Sequence, residues 1–204
     1  MPFGTHTFLN TPYNTPTDTS QHSEITVGMG CFWGAERLFW NLPKDIIYTT
    51  SVGYSGGDVG IEPNYKSVCS GRTGYAEVVK VVYKNGEEGD SNKRHENLNV
   101  ILQKFWENHD PTQGNRQGND HGTQYRSVIY TESQEDLEIA QKSKELYQNS
   151  LSDKGINKGI TTEIKMAGKY FLAEDYHQQY LHKDPNGYCG LKGSGVSCPY
   201  VPKK

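Results

Sequence analysis

Residues 24–40 read EITVGMGCFWGAERLFW, and the period of the apolar residues changes inside that stretch. Residues 24–29 are a short apolar run with β-branched members, the pattern of a buried strand. Two glycines turn the chain, and residues 32–40 then return apolar side chains at helical spacing, stopped before Pro43. A strand feeding a helix through so short a turn predicts the opening unit of a layered α/β domain.

Cys31 stands at the junction. Helix starts carry unpaired N–H groups and the positive end of the peptide dipoles, both of which favour a thiolate. The placement therefore predicts a cysteine whose pKa falls below its free value. Phe32 and Trp33 follow at once and suit an apolar slot beside the sulfur. The plainer alternative is that all three are core residues. A dinucleotide-binding turn fits worse, because Trp33 stands where G-x-G-x-x-G requires its third glycine.

Working outward, residues 46–54, 75–83, 125–131 and 161–167 read as further strands, and 98–106, 133–151 and 173–183 as helices. The second helix of that set opens on Ser133 with Asp136 three residues later, a variant of the capping box. Residues 53–74 and 109–124 are long polar or glycine-rich loops, a length that points to function. Residues 84–99 read as a solvated polar excursion. The glycine-rich stretch after Pro185 is expected to lack regular structure. No internal repeat or second domain is visible: residues 1–22, rich in Thr, Pro and Asn, read as a flexible arm or surface wrap. Residues 23–204 then form one catalytic domain, with 184–204 as a mobile tail.

At 204 residues the chain can bury its own core. Net charge is −3 without a basic block, which argues against nucleic acid. No apolar run approaches the ~20 residues that span a bilayer. The first residues lack an apolar signal core and Arg or Lys, so the chain reads as cytoplasmic, with mitochondrial import left open by composition. Cys31, Cys69, Cys189 and Cys198 show no C-x-x-C spacing, so no metal site is expected.

The blocks GCFWGAE (30–36), YKSVCSGRTGYAEVV (65–79), FWENHDPTQGNRQGNDHGTQYRS (105–127), AEDYHQQYL (173–181) and NGYCGLKGSGVSCP (186–199) occur in order. Together they resemble the A-type peptide methionine sulfoxide reductases, in their three-cysteine branch. The expected fold is then α/β (α+β), a two-layer sandwich with a mixed central sheet, a ferredoxin-like core, long loops and a coil-rich tail. The resemblance implies that Cys31 attacks the sulfoxide sulfur, with Phe32 and Trp33 holding the substrate methyl group. It implies that Glu77 protonates the oxygen, aided by Tyr65 and Tyr125, while Asp120 holds the substrate backbone or a water network. Cys189 would resolve the sulfenic acid and Cys198 would take over, leaving a disulfide for thioredoxin to reduce. Implied substrates are oxidised proteins and free methionine S-sulfoxide; no cofactor and a monomer are expected. The chemistry is coherent, since a sulfoxide oxygen leaves only when protonated and needs an acid within reach. By residue type alone, Glu77 reads as a mid-strand, solvent-facing acid.

Cys69 reads as a small buried residue, His109 and His121 as loop histidines near the site, and His177 as a packing or capping residue. IEPNY (61–65) departs from the family's Asn-Pro-Thr-Tyr, although Pro63 and Tyr65 remain. A cysteine hydrolase using Cys31 would leave Cys189 and Cys198 idle. A redox-switch or metal module would leave the aromatic pair unexplained.

Overall fold

The computed structural model describes residues 4–57, 60, 62–86 and 91–201. Parts of two expected features, the loop positions 58, 59 and 61 and the excursion 87–90, lie outside those residues, as do 1–3 and 202–204.

The decisive stretch folds as β1 (His22–Met29) and α1 (Phe32–Trp40). The chain continues through β2 (Ile47–Ser55), α2 (Tyr65–Cys69), β3 (Ala76–Lys84) and α3 (Ser91–Glu107). A small hairpin, β4 (Arg116–Gln117) and β5 (Asp120–His121), leads through a 3-10 turn at Thr123–Tyr125 to β6 (Ser127–Thr131). The remaining elements are α4 (Gln134–Asp153), β7 (Glu163–Met166), β8 (Phe171–Leu172) and α5 (Tyr180–Lys183).

The large sheet has the order β7-β6-β1-β3-β2-β8, antiparallel except for the parallel β6–β7 pair. Its middle, β1-α1-β2-β3-α3-β6 with spatial order β6-β1-β3-β2, is a ferredoxin-like core. The core lies between the helices and one sheet face, where Val27, Phe39, Val79, Phe105 and Trp106 are fully buried. At roughly 1.5–3 kcal/mol for each large apolar side chain, that layer is the main source of stability. A smaller cluster of Ala76, Val78, Val128 and Tyr130 occupies the opposite face.

The structure differs from expectation in three places. The helix α3 starts at Ser91 because its polar first turns are satisfied by tertiary partners: Asn97 donates to the Lys84 carbonyl (2.8 Å) and His95 bonds the Val201 carbonyl (3.0 Å). The loop 53–74 contains α2, opened by a reciprocal capping box between Asn64 and Ser67. The helix expected over 173–183 is regular only in α5, since Gln179 adopts the left-handed conformation (φ +47°).

The described parts of both terminal segments lie against the domain. In the expected arm, His6 is buried and Thr11 donates to the Tyr48 carbonyl (3.0 Å). The expected mobile tail has no regular structure but is held along α3, where Gln103 donates to the Cys198 carbonyl (3.0 Å) and Asn99 accepts from Val201 N–H (2.9 Å).

Candidate active site

Gly30 takes φ +88°, and a Cβ there would meet the Gln117 side chain, so glycine is required at this turn. Cys31 then occupies the N-cap of α1 without capping the helix through its side chain. The first free N–H of the helix, that of Phe32, is taken by Glu77 Oε2 at 3.2 Å.

Glu77 arrives from the start of β3, as its second residue. It shares the helix-facing row with Val79, Val81 and Tyr83, while Lys80 and Lys84 point the other way. It is therefore buried, against the solvent-facing reading of a mid-strand Glu. Burial raises its carboxyl from 4.5 to about 8, the Asp120 charge adds to the rise, and the Phe32 N–H opposes it. The group is largely protonated at neutral pH.

The same surroundings correct the expected thiolate. Burial pushes the Cys31 thiol up, the Glu77 charge pushes it further, and the Trp33 backbone N–H opposes them only in part. The helix terminus stabilises the anion, but desolvation wins. The resting sulfur is a neutral thiol.

The slot beside it is built from rings. Phe32 is fully buried and Trp33 half-buried; the Trp33 indole stacks on Tyr180 at 3.9 Å and donates to His177 Nδ1 at 3.0 Å. Since Nδ1 accepts, the neutral imidazole carries its proton on Nε2, which is buried and has no partner. His177 also packs against Phe32 (5.0 Å) and Tyr65 (4.7 Å). The sequence pattern predicts a packing or capping role for His177 and does not single out Tyr180.

Three loops close the site. Tyr65 opens α2, Tyr125 ends the 3-10 turn and Asp120 lies on β5; the Asp120 charge acts on Glu77 and Cys31, and the Glu77 charge on both tyrosines. The Tyr65 phenol is pushed up to about 12 by burial and a hydrogen bond with Cys69, and burial beside Glu77 also raises Tyr125. Cys69 is thus a half-buried neighbour of the site rather than a buried filler. Glu174 braces the cluster by accepting from Tyr54 OH and Tyr65 N–H, both at 2.8 Å. His109 is sequestered away, bonded to the Phe105 carbonyl and Ser127. Among the described residues no group of His, Cys, Asp or Glu side chains is arranged to hold a metal ion.

Compared with known proteins, residues 23–198 match the family model for peptide methionine sulfoxide reductase. The chain belongs to that family. The peptide methionine sulfoxide reductase MsrA of Photobacterium profundum is 58% identical over 177 residues, covering 87% of this chain and 79% of its own. Among solved structures, methionine sulfoxide reductase A of Corynebacterium diphtheriae superposes with a TM-score of 0.74 at 41% identity, covering 97% of this chain and 89% of its own. Reduced Mxr1 of Saccharomyces cerevisiae gives 0.72 at 35% identity, with coverages of 87% and 93%. Mxr1 has also been solved in complex with Trx2, a form that shares the fold at 23% identity and a TM-score of 0.51, covering 82% of this chain and 90% of that one.

The matched span contains every site residue expected for the reductase family. The structure brings Cys31, Phe32, Trp33, Tyr65, Glu77, Asp120, Tyr125 and Cys189 together. Cys189 is exposed and its sulfur lies over the first turn of α1, where a Cβ on Gly34 would come within 2.8 Å of it. Tyr188 donates to Asp120 Oδ2 at 3.0 Å and ties this part of the tail to β5. Cys198 is buried apart from them, against α3, with its N–H on Glu107 Oε1 at 2.9 Å. Gly34, Glu174, Tyr180 and Tyr188 are not singled out by the sequence; all four lie inside or beside the quoted blocks, but their contacts depend on the fold.

Proposed function

We propose that this protein reduces methionine S-sulfoxide, free or within oxidised proteins, to methionine. The observation that carries the reading is the Glu77 carboxyl, protonated by burial, bonded to the residue adjoining Cys31. The sulfoxide methyl lies between Phe32 and Trp33, with Tyr65 and Tyr125 donating toward the oxygen and Asp120 holding the substrate backbone or its water. Cys31 sulfur attacks the sulfoxide sulfur as Glu77 gives its proton to the oxygen; the thiol proton passes to Glu77. Oxygen is transferred, methionine leaves, and Cys31 becomes a sulfenic acid.

Cys189 attacks the sulfenic acid and expels water to form the Cys31–Cys189 disulfide. Cys198 exchanges into it, and thioredoxin reduces the resulting Cys189–Cys198 pair. The naming of a Trx2 complex for Mxr1 supports this choice of reductant. The second exchange requires the tail to leave α3, because Cys198 is buried there. The reading has the enzyme work as a cytoplasmic monomer, without cofactor, nucleic acid or membrane; among the described residues no helix is long and apolar enough to cross a membrane.

The test is direct. With dithiothreitol and a methionine S-sulfoxide substrate, chromatography should show methionine formation; output no greater than a Cys31→Ser control would defeat the reading. Cys198→Ser should keep activity with dithiothreitol and lose most of it with thioredoxin.

A further inference from the structure

Glu36 lies on α1 one turn beyond Trp33 and is completely buried. Its carboxylate accepts three hydrogen bonds from outside the helix. Thr50 Oγ1 (3.0 Å) and Gln179 Nε2 (2.9 Å) donate to Oε1, and the Gln179 backbone N–H donates to Oε2 (2.8 Å). Thr50 in turn bonds His6 Nε2 at 2.9 Å. The direction follows from the other ring nitrogen: His6 Nδ1 accepts the N–H groups of Phe8 (3.2 Å) and Leu9 (3.1 Å), which leaves the proton on Nε2. His6 Nε2 is 4.0 Å from Glu36 Oε1, too far for a direct bond, so the Thr50 hydroxyl is the bridge.

The other end of this relay is Gln179, the residue held at φ +47°. A non-glycine in that region persists only where its surroundings dictate it. Here Glu36 binds its backbone and side-chain N–H groups, and the N-terminal segment supplies Thr7 N–H to its Oε1 at 3.4 Å. Thr7 Oγ1 also bonds His182 Nδ1 at 2.8 Å. His177 and Tyr180, which hold the Trp33 indole, flank Gln179. The relay therefore starts in the N-terminal segment and ends at the turn that fixes Trp33.

We propose that His6 is a positioning residue for the substrate slot: through Thr50 and Glu36 it fixes Gln179, and thereby the 177–180 turn that orients Trp33. The functional part rests on the assignment of Trp33 to the methyl slot. The N-terminal segment is then part of the binding apparatus rather than a passive wrap.

The test compares wild type, His6→Ala, His6→Gln and Thr50→Val, using dithiothreitol and a peptide containing methionine S-sulfoxide. Two readouts are taken: the KM and kcat values, and the indole N–H resonance of Trp33, assigned with Trp33→Phe. His6→Ala should raise KM about tenfold, the effect of one lost ordering hydrogen bond, with kcat within about twofold. Its Trp33 resonance should shift and its N–H exchange faster. His6→Gln, which can still donate to Thr50, should recover part of both changes. Thr50→Val cuts the relay without removing the strap and must reproduce them, including where His6→Ala does not fold. Wild-type KM and an unmoved Trp33 resonance, whatever the melting temperature, overturn the proposal. A shifted resonance with unchanged KM would instead locate the failure in the methyl-slot assignment, and a wild type without turnover would defeat the proposed reaction.

Discussion

Replacing Glu77 with glutamine should destroy activity while making the folded protein more stable, increasingly so as pH rises. In the folded state burial raises this carboxyl from 4.5 to about 8, so between those values the native protein holds a proton that the unfolded chain has released. Wild-type stability therefore falls as pH rises through that window. At about 1.36 kcal/mol per pH unit, the span bounds the loss at about 5 kcal/mol, and local relaxation reduces it to about 2–4 kcal/mol. The Glu77→Gln side chain cannot ionise. The difference in stability between variant and wild type should be smallest near pH 4.5 and largest at pH 8–9. Titrating groups on which the Glu77 charge does not act contribute to both proteins and cancel. Urea unfolding at pH 5, 7 and 9, with reductant present, gives the comparison if the two slopes agree. In the dithiothreitol assay kcat should fall about 10²–10⁴-fold, the range for a lost general acid, and wild-type activity should decline above about pH 8. A stability difference that is flat with pH would refute the buried, protonated carboxyl.

Gly34→Ala places a methyl against the Cys189 sulfur; rapid quenching should show the first methionine formed at a near-normal rate and the Cys31–Cys189 disulfide formed about tenfold more slowly or less completely. His177→Phe keeps a ring but removes the acceptor of the Trp33 N–H, a loss of about 1–3 kcal/mol that should appear mainly as a higher KM in steady-state kinetics. Glu107→Gln should speed exchange from Cys31–Cys189 to Cys189–Cys198, followed by rapid quenching, and leave the dithiothreitol-driven rate unchanged. The Cys198 thiol is pushed up to about 12 by burial and then by the Glu107 charge, and exchange needs the thiolate.

The sheet and its helices were legible because their apolar periods are strong: β1, α1, β3 and α4 fall within two residues of their expected bounds. Ser133 accepts from Asp136 N–H at 3.1 Å, as its spacing predicts. The first turns of α3 were hidden because polar residues there are satisfied by the tail and β3, partners a local window does not contain. The position of Glu77 in the strand pattern does carry a signal. On strict alternation it shares its face with Tyr75, Val79, Val81 and Tyr83, whereas both β3 lysines lie on the other, so an acid at that position is committed to the interior. His177 had no comparable signal, since the Trp33 N–H that it accepts lies 144 residues away.

The correction at Cys31 changes what the helix terminus does. If its role were to create a resting thiolate, the raised thiol would count against the site; but the first helix N–H, that of Phe32, is bonded to Glu77, and the Trp33 N–H offsets burial of the sulfur only in part. The Phe32 bond places the acid beside the nucleophile, and the Glu77 charge disfavours ionisation of the Cys31 thiol. A pair of this kind keeps its protons until a substrate arrives. In the proposed reaction the sulfoxide oxygen draws the proton from Glu77, and the carboxylate so formed accepts the thiol proton. On that proposal one carboxyl activates both reactants, begins and ends protonated, and leaves no standing thiolate exposed to other oxidants. The arrangement requires the acid to remain neutral near pH 7, and burial of a single glutamate in an otherwise apolar strand face meets that requirement.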